Sequence, residues 1–310
     1  MAEPAKTAYI FPGQGSQTVG MGRDLFDNFE QARTIFKQAD ESVSFPLSKL
    51  CFEGPEEELR QTINAQPALL TVSIACLKCA EKELPPPAFL AGHSLGEYTA
   101  LAAANVLNFA DAVYLARERG RLMHEAGQAR PGGMVAVLGL DENILSEVCR
   151  ETNTNIANFN CPGQLVISGA KENIDRAMEL AKAKGASRCV PLAVSGAFHS
   201  PLMQPAADGL SKIISTLKFN DPTIPIIANA TAKPMTTADQ IKTELLTQLC
   251  SPVQWQRSIE FMINNGVSNF IEIGSGKVLS GLIKRINKDV TISNIGDVET
   301  IRRLKSNGPH

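Results

Sequence analysis

The chain has 310 residues, 44% hydrophobic and 20% charged, enough to bury a large core in one domain or two lobes. Its formal net charge of −2 leaves no basic footprint for nucleic acid or an anionic membrane surface. The N-terminal residues lack a basic region followed by an apolar stretch, and no uninterrupted apolar run reaches the ~18 to 20 residues of a membrane span, so the expected location is cytoplasmic. Seven scattered cysteines point to reduced thiols rather than a disulfide framework. Cys76 and Cys79 form a C-x-x-C inside a helical pattern with no second pair to complete a tetrahedral site, so no metal is expected.

The first strand is predicted over Ala8 to Phe11, followed by the loop Pro12 to Gln17 and a helix from Phe26 to Ala39. A second helix spans Ala68 to Lys82 and ends before Pro85-Pro86-Pro87. Next come a short apolar strand, Ala88 to Ala91, an Ala-rich helix from Leu95 to Val106, and another helix from Ala110 to Ala126. A Gly- and Pro-rich stretch, 127–133, marks a boundary. Beyond it Met134 to Leu140, Glu142 to Glu151, Asn155 to Asn158, Gln164 to Ser168, Asn173 to Lys184 and Arg188 to Val194 read as β-α-β-β-α-β, a ferredoxin-like unit. Strand and helix alternation then resumes: helix Pro205 to Leu217, strand Pro225 to Asn229, helices Ala238 to Gln248 and Val253 to Asn264, strand Asn269 to Ile273 and helix Lys277 to Ile286. The expected fold is therefore α/β, a large subdomain with a parallel sheet over 1–126 and 196–310 and a ferredoxin-like small subdomain inserted at 127–195.

Gly92-His93-Ser94-Leu95-Gly96 lies between the apolar strand and the Ala-rich helix, the layout of a nucleophile elbow. There a serine sits on a tight turn and needs neighbours without side chains, and the helix N-terminus beyond it favours developing negative charge. The competing reading makes Ser94 an N-cap with Glu97 completing a capping box. A serine nucleophile needs a base, and four histidines are candidates. His310 is terminal, His93 adjoins the serine and is expected to point elsewhere, and His124 suits the polar side of a helix C-terminus. His199 remains, in a Gly- and Pro-containing loop after the inserted unit, where a merely hydrogen-bonded loop histidine is the alternative.

On the helix from Ala110, the apolar positions Ala112, Leu115, Ala116, Leu122, Met123 and Ala126 form one stripe, and Arg119 falls on it while Arg117 and Arg121 fall off it. A guanidinium carried inward needs an anion, either a buried Asp or Glu of the chain or a carboxylate on the substrate. The glycines of the Pro12 to Gln17 loop lack the lysine and spacing of a phosphate cradle; the loop suits an oxyanion hole instead, with a backbone N–H paired with that of Leu95.

Together these pieces resemble the malonyl-CoA:acyl carrier protein transacylase family over nearly the whole chain. The motifs that carry the resemblance are Phe11 to Gln17, Gly92 to Glu97, Arg119-Gly120, Asn158 to Gln164, Gly196 to His199, Pro252 to Trp255 and Glu272 to Gly276. The resemblance implies a Ser94–His199 dyad and ping-pong malonyl transfer through a malonyl-serine, from malonyl-CoA to the phosphopantetheine thiol of acyl carrier protein in fatty-acid synthesis. It implies Arg119 as the clamp for the malonyl carboxylate, Gln14 and Leu95 as oxyanion donors, and Gln254 orienting His199 through its main-chain carbonyl. Phe198 and Asn160 are carried over as substrate contacts, with no cofactor beyond the substrates and a monomeric enzyme. Lys284 and Arg285 on the last helix read either as a docking patch for the acidic carrier or as solvated charges at a helix C-terminus. A serine hydrolase shares the elbow but predicts neither Arg119 on the apolar stripe nor the insert, and a non-catalytic docking module has no need of a buried arginine.

Overall fold

A computed structural model describes residues 5–306; the terminal His310 lies outside the described residues. The strands are β1 (Lys6–Phe11), β2 (Pro87–Gly92), β3 (Gly132–Leu138), β4 (Asn155–Cys161), β5 (Gln164–Ala170), β6 (Arg188–Pro191), β7 (Ile226–Ile227), β8 (Pro234–Met235), β9 (Val267–Ile273) and β10 (Thr291–Ile295). The helices before the insert are α1 (Arg23–Asn28), α2 (Glu30–Val43), α3 (Leu47–Glu53), α4 (Glu56–Arg60), α5 (Thr62–Ala80), α6 (Leu95–Ala103) and α7 (Phe109–Ala129). Those within and after it are α8 (Glu142–Thr152), α9 (Lys171–Ala183), α10 (Gln204–Ile214), α11 (Ala238–Cys250), α12 (Trp255–Asn264), α13 (Val278–Ile286) and α14 (Val298–Ser306).

Two sheets organise these elements. The larger runs β10-β9-β1-β2-β7-β8, parallel from β10 through β7, with β8 antiparallel at the edge. Alternation along β1 divides the core: Tyr9 and Phe11 face one side with α2, α5 and α7, while Ala8 and Ile10 face the other with Trp255, Phe270 and Ile283. The smaller sheet, β4-β5-β3-β6, is antiparallel throughout, and its helices α8 and α9 cover one face with Leu145, Val148 and Ala177 against Val135, Val137 and Ile167. That strand order and the β-α-β-β-α-β connectivity are ferredoxin-like, as the sequence pattern implies. Strand β4 is stitched to the larger body by Val253, whose N–H donates to the Ala157 carbonyl at 2.8 Å and whose carbonyl accepts from the Phe159 N–H at 2.9 Å.

The structure differs from the sequence expectation at several places. The expected helix from Phe26 to Ala39 is two helices, because Phe29 adopts extended backbone between α1 and α2. Helix α5 begins at Thr62 and runs through Pro67; a proline near the first turns forfeits one hydrogen bond without ending the helix. The stretch Thr62–Glu83 is long and apolar enough to cross a membrane by length and composition, but 83% of its most apolar window is buried inside the protein, where α5 packs on α2, α6 and α7. Elements β8, β10, α3, α4 and α14 have no counterpart in the sequence reading.

Candidate active site

Strand β2 delivers the elbow. Ser94 takes φ 51° and ψ −105° and its side chain makes no cap hydrogen bond to α6, which removes the capping-box reading. The turn is tight enough that a Cβ on Gly92 would lie 1.9 Å from the Gly96 carbonyl carbon, and one on Gly96 would lie 2.1 Å from the Phe11 carbonyl oxygen. Both flanking glycines are thus required by close approach. The Pro12 to Gln17 loop lies against this turn, since a Cβ on Gly13 would fall 2.4 Å from the His93 carbonyl oxygen.

His199 reaches the serine from the far side of the insert. Its Nε2 lies 2.8 Å from Ser94 Oγ and its Nδ1 lies 2.9 Å from the Gln248 carbonyl oxygen. A carbonyl can only accept, so Nδ1 carries the proton and Nε2 presents a lone pair to the serine hydroxyl. Burial, then the neighbouring Arg119 charge, lowers the His199 pKa to about 3, so the ring is neutral near pH 7. His199 also stands at positive φ, 56°, so both members of the pair are held in backbone conformations that L-residues seldom adopt.

Arg119 is 1% exposed on the inward stripe of α7, whose start is capped by the Asn108 side chain. Gly120 lets α7 close on α5, because a Cβ there would lie 2.6 Å from the Thr62 carbonyl oxygen. This brings Arg119 Nη1 to Gln66 Oε1 at 2.8 Å and Nη2 to Gln248 Oε1 at 2.8 Å and Ser94 Oγ at 3.1 Å. The Tyr98 ring lies beneath, 4.9 Å from the guanidinium carbon. All these acceptors are neutral, and among the described residues no carboxylate forms an ion pair with Arg119. Desolvation pulls its pKa down from the usual arginine value. The alternative of an internal Asp or Glu partner is therefore not what the fold provides.

These groups open on a cavity of about 240 Å³ between the two sheets. Gln14, Phe198 and Asn160 line it, and Leu95 begins the helix behind it with its side chain buried. Asn160 Oδ1 lies 2.9 Å from His93 Nε2, so His93, expected to point away from the serine, instead forms part of the same cavity wall. Desolvation lowers the His93 pKa.

One expectation needs correction. The carbonyl against His199 is that of Gln248, at the end of α11; Gln254 instead donates its N–H to the Asn229 carbonyl at 2.7 Å and accepts from Arg257 with its side chain. Lys284 and Arg285 are both exposed, and Arg285 also donates to Gln164 Oε1 and, at 3.2 Å, to the Pro162 carbonyl on the β4–β5 turn. Sequence reasoning missed Gln66, Gln248 and Asn229. Asn229 accepts the Ser94 N–H at 2.7 Å and donates to the Gly92 carbonyl at 2.7 Å, which braces the elbow.

Residues 8–309 match the acyl transferase domain family. The chain is 48% identical over 302 residues to the malonyl CoA-acyl carrier protein transacylase of Bacillus subtilis, covering 96% of this chain and 95% of that one. Its structure superposes on an acyl carrier protein S-malonyltransferase from Vibrio cholerae with a TM-score of 0.93 at 43% identity, covering 97% and 100% of the two chains. It matches equally, with a TM-score of 0.93 at 39% identity and 98% and 100% coverage, a malonyl-transacylase solved in complex with a holo type II polyketide-synthase acyl-carrier protein. With a serine hydrogen-bonded to a buried histidine and a buried arginine, in a fold shared along its whole length with these proteins, this chain is an acyltransferase of the malonyl-CoA:acyl carrier protein transacylase family.

Proposed function

We propose that the protein moves a malonyl group from malonyl-CoA to the phosphopantetheine thiol of an acyl carrier protein through an ester on Ser94, supplying extender units for fatty-acid synthesis. The observation that carries this reading is the Arg119 guanidinium, buried among neutral acceptors and reaching the oxygen of Ser94 itself. Neutral amides leave a buried cation under-compensated, and a substrate carboxylate supplies the missing charge through two parallel N–H bonds.

In the first half-reaction His199 Nε2 takes the Ser94 hydroxyl proton as Oγ bonds to the thioester carbonyl carbon. The carbonyl oxygen becomes an oxyanion, received by the backbone N–H groups of Leu95 and Gln14. Collapse breaks the C–S bond, the CoA sulfur leaves with the proton from His199, and malonyl-Ser94 remains. The carrier thiol then repeats the sequence in reverse, giving its proton to His199 and restoring the serine hydroxyl. Arg119 meanwhile moves its second N–H from Ser94 Oγ to the malonyl carboxylate. Asn160, held by His93, contacts the thioester arm, and Phe198 limits space at the malonyl α-carbon.

In this reading 1–126 and 196–310 form the catalytic lobe, and 127–195 supplies the opposite wall of the cavity. The exposed Lys284 on α13 lies on the carrier's approach, with Arg285 holding the β4–β5 turn beside it. In this reading the enzyme acts as a monomer. A thioesterase shares the dyad, but a buried arginine beside the serine favours an acyl group that carries an anion.

Intact-protein mass spectrometry after brief exposure to malonyl-CoA or acetyl-CoA, followed by addition of holo-carrier, tests the scheme. The expected result is a malonyl adduct that is absent in Ser94→Ala, weak with acetyl-CoA and discharged onto the carrier. An adduct lost to water without carrier points to a hydrolase, and no adduct from either thioester contradicts the enzyme reading of the serine.

A further inference from the structure

Behind the reacting groups lies a chain of buried hydrogen bonds whose far end the scheme above leaves unused. Glu97, on the first turn of α6, is 0% exposed. Its Oε1 accepts the Asn229 N–H at 3.1 Å and its Oε2 accepts the side-chain amide of Gln248. Asn229 braces the Ser94 turn, as described. Gln248 does three further things: its Nε2 donates to the Ser94 carbonyl at 3.0 Å, its Oε1 accepts Arg119 Nη2 at 2.8 Å, and its main-chain carbonyl holds His199 Nδ1. One carboxyl therefore stands behind the elbow, the base and the cation together.

We infer that Glu97 is a positioning residue: as an acceptor facing the Gln248 amide it fixes which end of that amide meets Arg119, and so holds the guanidinium ready for the substrate carboxylate. This rests on the reading of Arg119 as the carboxylate clamp. A side-chain amide has one accepting and one donating end, and its neighbours decide the direction. An ionised carboxyl accepts and cannot donate, so it takes the NH2 end of Gln248 and leaves Oε1 for the guanidinium. The Ser94 carbonyl pulls the same way, but it also receives the Glu97 N–H at 3.1 Å. With the amide reversed, NH2 would face guanidinium, donor against donor, and Arg119 would lose one of its two amide acceptors.

Burial and then the nearby Glu244 carboxyl raise the Glu97 pKa well above the usual carboxylate range, and donors from Asn229 and Gln248 oppose the rise. Burial raises Glu244 as well. Both Glu97 oxygens face N–H donors, as the acceptor role requires.

Substitution of Glu97 by Gln separates this role from simple packing. The Asn229 main-chain N–H cannot turn, so the new amide keeps its oxygen there and directs its NH2 at Gln248. Gln248 then reverses, gives up the Ser94 carbonyl and presents NH2 to Arg119. For Glu97→Gln, kcat/KM with malonyl-CoA is expected to fall about 10- to 100-fold, mainly through KM. The acetyl-CoA rate is expected to change only a few-fold, so the malonyl preference narrows. Glu97→Asp keeps an acceptor and is expected to retain the preference even if its overall rate drops. A preference unchanged in Glu97→Gln, lost equally in both variants, or accompanied by a parallel fall on both substrates overturns the inference. Should Glu97→Gln fail to fold, Glu97→Asp decides alone: preference retained supports it and preference lost overturns it. Arg119→Ala run alongside separates the two levels. If it abolishes the preference while Glu97→Gln does not, the Glu97 role alone fails; if it leaves the preference intact, the clamp reading fails.

Discussion

The protein buries two polar clusters that solve the problem of a charge in the core in opposite ways. Glu272, at the end of β9, is 0% exposed, and its two oxygens accept the N–H groups of Leu279 and Ser280 at the start of α13, the Ser280 hydroxyl and the Asn294 amide, at 2.6 to 3.1 Å. Its partners are donors of the chain itself, including a helix N-terminus that favours negative charge. Arg119 is equally buried, yet it is held by two glutamine oxygens and a serine hydroxyl and it borders the cavity. A buried charge satisfied from within serves the fold; a buried charge hydrogen-bonded only to neutral partners beside an opening has the character that the proposed function assigns to a ligand clamp.

The largest break in that comparison comes from Arg119→Ala. Loss of malonyl kcat/KM by about two to three orders of magnitude is expected, with thermal stability held or raised, because the variant removes an under-compensated buried cation. Steady-state kinetics beside a thermal melt reads both. Glu272→Gln is expected to do the reverse: chemical denaturation shows a loss of about 1 to 3 kcal/mol, as an acceptor of several hydrogen bonds is replaced by an amide that presents NH2 to donors, while activity per folded molecule is retained. A Glu272 variant that altered malonyl preference at full stability would erase the distinction.

His199 gives a pH signature. Its folded pKa, about 3, lies below the ordinary 6.5, so between those values the unfolded chain binds a proton that the folded protein refuses. The His199 contribution to stability is therefore full above pH 6.5 and declines as pH falls toward 3. Acid titration of denaturant midpoints in wild type and His199→Gln should show a steeper decline in wild type. The acid limb of the free-enzyme pH–rate profile should likewise fall below 6.5; a limb at 6.5 would contradict the depressed value. The smallest effect is expected at Arg121, two residues along α7, whose half-exposed ion pairs with Glu118 and Glu125 contrast with the buried Arg119. Arg121→Ala should change stability by under about 1 kcal/mol and leave kinetics unchanged.

Much of the site was legible because its residues carry local signatures. The glycines around Ser94 and the apolar stripe through Arg119 are periodic or spacing signals that survive in one dimension. So is the β-α-β-β-α-β order of the insert. Gln66, Asn229 and Gln248 carry no such signal: each is an amide whose role exists only once α5, the loop after β7 and α11 converge on the elbow. Gln66 lies before the predicted helix start at Ala68, in the first turns of α5, and the carbonyl against His199 belongs to Gln248 at the end of α11, outside the Pro252 to Trp255 motif. Chain neighbours ordinarily point apart, but the strained turn at Ser94 brings His93 and Ser94 to one cavity.

The central claim, that the cavity-facing side of a buried cation receives a substrate carboxylate, is tested most directly by the crystal structure of the enzyme loaded from malonyl-CoA. The account predicts an ester on Ser94 Oγ with both carboxylate oxygens on the Arg119 Nη1 and Nη2 atoms. An acyl group carried elsewhere, or a malonyl-Ser94 whose carboxylate turns to solvent with Arg119 still bound to its glutamines alone, would contradict it.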